Sequence, residues 1–212
     1  MAVTRVLRPI VRSFTPAHLR EASAHVRAGG HAIVWETPSR ARLYFRTPKK
    51  DDVGDLGYWA VLDLGKTSHR RVRNGPMRGL SQTPVPADAN DIVRGWCVRD
   101  SVHPGALREV AYDCLACGAC CKDNAVELDE ADLERFREGG LEALGKPPLA
   151  RRRKGKLVLT LLANGRCRQL RRDNTCKIYP FRPGACRDFP VGSECCLFAR
   201  EDGLGEVDGA TA

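Results

Sequence analysis

Nine of the ten cysteines in this 212-residue sequence fall between Cys114 and Cys196. The densest part reads Cys-Leu-Ala-Cys-Gly-Ala-Cys-Cys at residues 114–121. Two residues between successive cysteines let their thiolates close on one ion within a tight turn. Gly118 lies where backbone amides must bend around sulfur, which glycine does most easily. The pattern therefore predicts a sulfur-only metal site.

The spacing also suggests how the ligands divide. Cys114, Cys117 and Cys120 can all face one centre, because each is three residues from the next. Cys121 follows directly and its side chain should diverge, so it fits a second centre or is a spare. The further candidates, at wide intervals, are Cys167, Cys176, Cys186 and one of the Cys195–Cys196 pair, with Cys195 favoured. These thiols predict two four-thiolate sites, or one cluster and a structural metal.

Disulfide bonding and thiol redox chemistry account for so many cysteines less well than metal binding does. A disulfide framework requires export, and the arginine-rich N-terminus has no apolar signal core. A redox dithiol needs only two cysteines, and the βαβ context of thioredoxin is missing. Both alternatives stay open beside metal ligation. Cys97 lies apart from the other cysteines and is interpreted as a buried apolar residue.

The ligand type narrows the metal to zinc or iron–sulfur. Zinc ribbons carry two CxxC knuckles about 15–20 residues apart, whereas Cys167, Cys176 and Cys186 are single. Residues 114–120 match the first three ligands of the bacterial ferredoxin run, but Cys121 then follows without a gap. Neither pattern fits in full, so the metal is left open.

Arginines between the ligands can balance their charge. Four thiolates around a divalent ion leave a charge of about −2, which is expensive to bury alone. Arg182 and Arg187, close to Cys186, are therefore predicted to support the ligands from a surrounding shell. The basic run at residues 151–154 is interpreted as a solvated face or a contact for an anionic partner. Tyr179 is interpreted as packing around the site, with proton donation as the alternative.

Composition and charge limit the class of protein. The chain has 42% hydrophobic residues and a net charge of +9, which excludes a wholly disordered chain. No apolar run approaches the roughly 18 residues of a membrane span, so a cytoplasmic protein without membrane contact is expected. The basic charge permits nucleic-acid binding, but no nucleic-acid-binding motif supports it. No hydrolase, zinc-protease or nucleotide-binding motif is present, and whether the chain is an enzyme is left open.

The secondary-structure elements predicted around these residues indicate an α+β fold with two domains. Residues 1–100 predict a small N-terminal α+β domain of unknown role, ending in a Pro/Gly-rich linker at about residues 74–90. Residues 101–200 predict a metal-centred, cysteine-rich domain with short helices, a short strand or hairpin and much irregular structure. Residues 201–212 predict a flexible acidic tail.

Capping and turn residues predict individual elements of the first domain. Thr15 and Pro16 begin a helix that continues to Ala28, where two glycines end it. Residues 31–37 and 40–46 predict two strands around a Pro-Ser turn. The alternating stretch at residues 58–64 also predicts a strand.

In the second domain, residues 104–112 predict a short helix that leads into Cys114. Asp129 predicts the N-cap of a helix over residues 130–138. Residues 156–162 predict a strand that ends in an Asn-Gly turn. Prolines after Cys167 exclude a long helix among the later ligands.

Three segments resemble a known family. They are the CxxCxxCC run at residues 114–121, Cys-Lys-Ile-Tyr at 176–179 and Arg-Pro-Gly-Ala-Cys-Arg-Asp-Phe-Pro at 182–190. Together with residues 167–170 they resemble the CxxCxxCC cysteine-cluster family, also called zinc- or iron-chelating or YkgJ-type, over roughly residues 110–198. The resemblance implies a bacterial cytoplasmic metal-binding domain, often an iron–sulfur one, and brings no settled reaction.

Two functional hypotheses follow from the cysteines and the resemblance. The first is an iron–sulfur or related iron protein in electron transfer, or a redox accessory, with a protein redox partner bound by residues 1–100. The alternative is a zinc-stapled, non-enzymatic adaptor whose basic surface binds a polyanion or a protein.

Overall fold

The computed structural model describes residues 3–49 and 54–208. The chain divides into two compact units, each built from separate stretches of sequence. The sheet unit comprises Arg5–Val110, Gly192–Phe198 and Glu206–Ala212. The cysteine unit comprises Met1–Thr4, Ala111–Val191 and Ala199–Gly205. Helices and strands occur in both units, which confirms the predicted α+β class.

The secondary-structure elements are numbered in chain order. The strands are β1 (Val3–Pro9), β2 (Val11–Phe14), β3 (His31–Thr37), β4 (Arg40–Phe45), β5 (Arg70–Arg71), β6 (Ser81–Pro84), β7 (Leu107–Asp113), β8 (Glu127–Leu128), β9 (Ala150–Arg153) and β10 (Lys156–Leu159). The helices are α1 (Leu19–Arg27), α2 (Leu56–Asp63), α3 (Asn90–Asp100), α4 (Cys114–Cys117), α5 (Glu130–Glu138), α6 (Gly184–Arg187) and α7 (Glu194–Leu204).

A five-stranded sheet in the order β2-β3-β4-β6-β5 forms the centre of the sheet unit. β2 and β3 are parallel, with Val11 opposite His31, and α1 lies between them in the chain. The other neighbours are antiparallel. The predictions of a helix ending before Gly29 and of the strands at residues 31–37 and 40–46 are confirmed.

Both faces of β3 are buried, because its side chains alternate between two apolar clusters. Ile33 packs in the cluster that contains Val61 of α2 and Trp96 of α3. Ala32 and Val34 pack on the opposite face, in the cluster that contains residues of α1. Cys97 lies in the first cluster, and burial raises the pKa of its thiol to about 11. Its predicted role as a buried apolar residue is confirmed.

Two predicted elements were wrong. Residues 58–64 belong to helix α2, not to a strand; Asp55 caps it by accepting the backbone N–H groups of Gly57 and Tyr58. Apart from Asp63 this segment is apolar, so its pattern does not distinguish a strand from a helix. Residues 104–112 belong largely to strand β7, not to a helix. Gly105 has a φ of +74°, which a helix cannot continue through.

Residues 74–90 contain strand β6, although their glycines and prolines predicted a linker. β6 pairs with both β4 and β5, and its Ser81 and Thr83 side chains are buried. The loop-like composition comes from the turn before the strand, where Gly75 and Gly79 have positive φ angles. The stretch is therefore part of the sheet unit.

The cysteine unit contains a three-stranded antiparallel sheet in the order β8-β10-β9. The predicted helix at residues 130–138 is confirmed, with a capping box between Asp129 and Asp132. Phe136 of this helix, Leu144 and Ile178 form the unit's apolar core. This core packs directly against Cys176, which anchors one cysteine-bearing segment.

Helix α7 begins after the last proline of the cysteine-rich region and was not predicted. Its first residues belong to the sheet unit and residues 199–204 to the cysteine unit. Residues 201–204 of the predicted acidic tail are helical, and residues 209–212 lie outside the described residues. Among residues 3–49 and 54–208, no helix is both long and apolar enough to cross a bilayer.

The sheet unit also contains a buried group of charges. Arg8 is 3% exposed and donates to Asp100 over 2.7 Å and to Glu194. Arg99 forms an ion pair with the same Glu194. Asp100 also accepts the backbone N–H of Val11 over 2.9 Å. Two arginines and two carboxylates therefore join β1, α3 and the first turn of α7.

We expect the sheet unit to lose stability in acid because of His31. Burial, and then the positive charge of Arg8, lowers the pKa of His31 from 6.5 to about 3. Below pH 6.5 the unfolded chain binds a proton that the folded chain does not, so stability falls as the pH decreases toward 3. The slope approaches about 1.4 kcal/mol per pH unit.

Urea denaturation of the wild type and His31→Gln between pH 7 and 5 measures this effect. The unfolding free energy of the wild type should decrease more steeply from pH 7 to pH 5 than that of His31→Gln. Equal pH slopes in the two proteins would assign the acid sensitivity to other groups.

Candidate metal centre

The CxxCxxCC run is held in a tight turn between a strand and a loop. Asp113, at the end of β7, accepts the backbone N–H groups of Leu115 and Ala116 and begins α4. Gly118 ends α4 with a φ of +61°, and a Cβ there would lie 2.8 Å from the carbonyl oxygen of Asn174. Glycine is required by both conformation and space, as the sequence predicted.

Backbone hydrogen bonds connect this turn to the later cysteines. The N–H of Cys167 donates to the carbonyl of Cys121 over 2.9 Å. Leu170 and Cys176 form an antiparallel bridge, and Lys177 donates to Gln169 over 2.8 Å. These bonds place three cysteines that are far apart in sequence on neighbouring backbone segments.

Most of the predicted ligands line one cavity of about 180 Å³ in the cysteine unit. The lining cysteines are Cys114, Cys120, Cys121, Cys167, Cys176 and Cys186. All ten cysteines of the chain are free thiols, so no disulfide framework is present. Six of the eight predicted sulfur ligands thus border one cavity.

Four of the lining thiols affect one another electrostatically. Burial raises the pKa of Cys186 to about 12, and negative charge on Cys121, Cys167 and Cys176 adds to the rise. Burial likewise raises the pKa of Cys167, with contributions from Cys121 and Cys176. Four thiolates this close repel one another, so a cation among them would stabilise their charged form.

Two features favour thiolate at Cys121. A hydrogen bond from Cys120 lowers the pKa of Cys121 to about 7, and the charges of Arg182 and Arg166 act in the same direction. The cavity therefore contains at least one thiol that ionises readily near neutral pH.

One wall of the cavity contains the arginines that were predicted to balance the negative charge of the thiolates. Arg182 and Arg187 both line it. The guanidinium of Arg182 lies 3.8 Å from the centre of the Tyr179 ring, and Tyr179 also lines the cavity. Burial raises the pKa of Cys176, and the charge of Arg182 opposes that rise. The buried Nε of Arg182 has no hydrogen-bond partner among the described residues.

Three polar residues that line the cavity were not predicted from the sequence. Thr4 donates a hydrogen bond to Cys114, although it lies 110 positions away. The backbone N–H of Gln169 donates to the sulfur of Cys167 over 3.4 Å. Asn124 also lines the cavity. Of these three, only Gln169 could have been suggested by the sequence, because it lies two residues from Cys167. The sequence alone does not show that β1 approaches Cys114.

Two predicted ligands do not line the cavity. Cys117 accepts a hydrogen bond from Arg200 over 3.3 Å. Cys195 belongs to the sheet unit, where its sulfur lies 2.9 Å from the hydroxyl of Ser193. The thiol of Cys195 also forms a hydrogen bond with the carboxylate of Asp63. Their roles as ligands stay predictions.

The thiols around the cavity lie apart from one another. Within residues 3–49 and 54–208, no three Cys, His, Asp or Glu side chains converge closely enough to hold one ion. A zinc ion with four thiolates has Zn–S distances of about 2.3 Å, so the thiols must move closer together to hold a single ion. Six thiols line the cavity, two more than a single zinc ion takes.

Comparison with known proteins agrees with the chemistry of the thiols. Residues 113–203 match the model of the CxxCxxCC family, described as a putative zinc- or iron-chelating domain. The match confirms the resemblance seen in the cysteine spacing and supports metal binding by this segment. No curated protein and no solved structure matches the chain.

Proposed function

We propose that the zinc- or iron-chelating domain at residues 113–203 holds an iron–sulfur cluster and that the protein acts in electron transfer or as a redox accessory. The observation that carries the proposal is the cavity of about 180 Å³ lined by six free thiols. A single structural zinc ion uses four ligands, whereas six thiols line this cavity. Thiolates are also the usual ligands of iron–sulfur clusters.

Cys121, Cys167, Cys176 and Cys186 are the proposed primary ligands. They come from separate segments, yet Cys186 interacts with each of the other three through their charges. Cys114 and Cys120 line the same cavity and are candidate ligands of a larger or second centre. A cluster bound there would supply reversible one-electron oxidation and reduction.

The protein residues around the thiols set the conditions for this chemistry. Arg182 and Arg187 place positive charge beside several thiolates, which lowers the free energy of holding negative charge in a partly buried site. Ile178 and Phe189 supply apolar lining and reduce the access of water. Tyr179 fixes the orientation of the Arg182 guanidinium by lying against it.

A redox accessory requires a protein partner that supplies or accepts electrons. The sheet unit is the proposed contact surface, because residues 1–100 carry most of the net positive charge, with 17 Lys+Arg against 9 Asp+Glu, and none of the proposed ligands. An acidic redox protein is the matching class of partner.

Anaerobic purification followed by absorption spectroscopy and chemical analysis tests the proposal. We expect broad visible absorption that bleaches on reduction with dithionite, together with iron and acid-labile sulfide bound to the full chain. A colourless protein with stoichiometric zinc and no sulfide would overturn the proposal and favour the zinc-stapled adaptor.

A further inference from the structure

A second cavity, in the sheet unit, has features of a binding site and contains none of the proposed metal ligands. It has a volume of about 560 Å³ and lies between the edge strand β2 and helix α3. We call it the α3 groove; its lining residues are Arg12, Ser13, Arg94, Cys97, Val98 and Ser101. The volume is within the range of about 300–1,000 Å³ that is typical of small-molecule sites.

The sequence of α3 places its lining residues on one side of the helix. Arg94, Cys97, Val98 and Ser101 are spaced at i, i+3, i+4 and i+7, the spacing of one helical face. On β2, Val11 is buried in the core while Ser13 is exposed. The groove is therefore built by two regular elements that hold their backbones rigidly.

Two arginines supply positive charge without a matching carboxylate. Neither Arg12 nor Arg94 forms an ion pair among the described residues. The nearby carboxylate of Asp100 is 1% exposed and is already bonded to Arg8 and to a backbone N–H. An anion entering the groove would therefore meet positive charge that the protein does not neutralise.

Both guanidinium groups are held in place and keep unused donors. Arg12 donates from Nη2 to the carbonyl of His103, and its buried Nε has no partner in the described part of the chain. Arg94 donates from Nη2 to the carbonyl of Pro38, and its guanidinium lies 3.9 Å from the centre of the Trp35 ring. A guanidinium has five N–H donors, so each arginine can bind an anionic oxygen while keeping its anchor.

The remaining lining is partly apolar. Val98 is 71% exposed, which is unusual for a valine on a well-packed helix, and the thiol of Cys97 lies beside it. The hydroxyl of Ser13 already accepts a hydrogen bond from the indole N–H of Trp35 over 3.3 Å, so this part of the wall has few free polar groups. Such a surface favours a ligand with an apolar body next to its charged group.

We propose that the α3 groove binds a small organic anion. Arg12 and Arg94 would bind its carboxylate or phosphate oxygens, and Cys97 and Val98 would contact its apolar part. The lining indicates that the ligand has a negative charge and an apolar part. Because arginine forms paired hydrogen bonds with both carboxylate and phosphate, binding measurements decide which of the two acid groups the ligand carries.

Calorimetric titration of the full chain with three probes tests the proposal. The probes are benzoate, phenyl phosphate and inorganic phosphate. We expect saturable binding of benzoate or phenyl phosphate and weaker binding of inorganic phosphate, which lacks the apolar part. The stronger of the two organic probes identifies the acid group.

Variants locate the site. Arg12→Gln and Arg94→Gln should each weaken binding about tenfold or more, as expected for loss of a charge-assisted hydrogen bond. Arg20→Gln is the matched control, because Arg20 is an exposed arginine on α1 away from the groove lining. Arg94→Lys keeps the charge and loses the paired geometry, so its affinity should lie between those of the wild type and Arg94→Gln.

The metal content and the thermal unfolding of each variant are measured alongside binding. Because the groove contains no proposed ligand, unchanged metal in the arginine variants separates this proposal from that of the metal centre. Absence of saturable binding to all probes, or an equal loss of affinity in the Arg20→Gln control, would refute the proposal.

Discussion

Replacing Cys176 or Cys186 with serine will remove most of the metal from the purified protein. Both thiols line the cavity, and the charge of Cys176 raises the pKa of Cys186, which places them close together. Loss of an outer-shell partner typically weakens metal binding about 10–100-fold, and loss of a ligand should weaken it at least as much. Metal and sulfide analysis of anaerobically prepared Cys176→Ser and Cys186→Ser measures the effect.

Cys97→Ser is the matched control for these variants. Cys97 is a buried free thiol of the sheet unit and lies outside the metal cavity. Its replacement should leave metal and sulfide unchanged. Full metal content in both Cys176→Ser and Cys186→Ser would contradict the proposed ligand set.

The same assay tests the two predicted ligands that do not line the cavity. Cys117 accepts a hydrogen bond from Arg200, and Cys195 shares a hydrogen bond with Ser193. If only the lining thiols bind metal, Cys117→Ser and Cys195→Ser will keep their metal. A loss as large as that of Cys186→Ser would add them to the ligand set.

Arg8→Met will destabilise the sheet unit far more than Arg5→Met. Arg8 is 3% exposed and lies between Asp100 and Glu194, so its removal leaves buried carboxylates without full compensation. Such a loss costs about 3–5 kcal/mol of unfolding free energy. Arg5 is on the same strand and pairs with Glu109 at the surface, where an ion pair contributes at most about 1 kcal/mol.

Urea denaturation monitored by tryptophan fluorescence compares the two variants at pH 7. The difference between their unfolding free energies should exceed about 2 kcal/mol. If Arg8→Met fails to fold, Arg8→Lys provides the measurement, because it keeps the charge and loses the second hydrogen bond. Equal stability of Arg5→Met and Arg8→Met would show that the buried charges contribute nothing net.

Local signals predicted several elements well. Asp129 and Asp132 specify a helix start by direct hydrogen bonds, and the structure has that capping box. β3 and β4 follow from β-branched and aromatic residues around a turn. These features depend on neighbours in sequence, which a sequence shows directly.

The failures arose where contacts between distant residues decide the structure. The segment at residues 58–64 is apolar except for Asp63, and the Asp55 cap together with packing against the sheet selects a helix. The candidate metal centre shows the same division between features set by sequence neighbours and features set by distant residues. Cysteine spacing predicted which thiols are available, but only the fold separates the cavity-lining Cys186 from Cys117, and only the fold brings Thr4 to Cys114.

The discontinuous make-up of the two units has a consequence during synthesis. Glu194 is needed beside Arg8 and Arg99, yet it is made almost two hundred residues after β1 begins. A chain still emerging from the ribosome lacks the carboxylate that pairs with both Arg8 and Arg99, so the sheet unit cannot finish folding early. Residues 199–205 of the cysteine unit arrive at the same late stage. Both units should therefore mature together once residues 194–205 have been made, and a nascent chain stalled before residue 194 should be sensitive to protease.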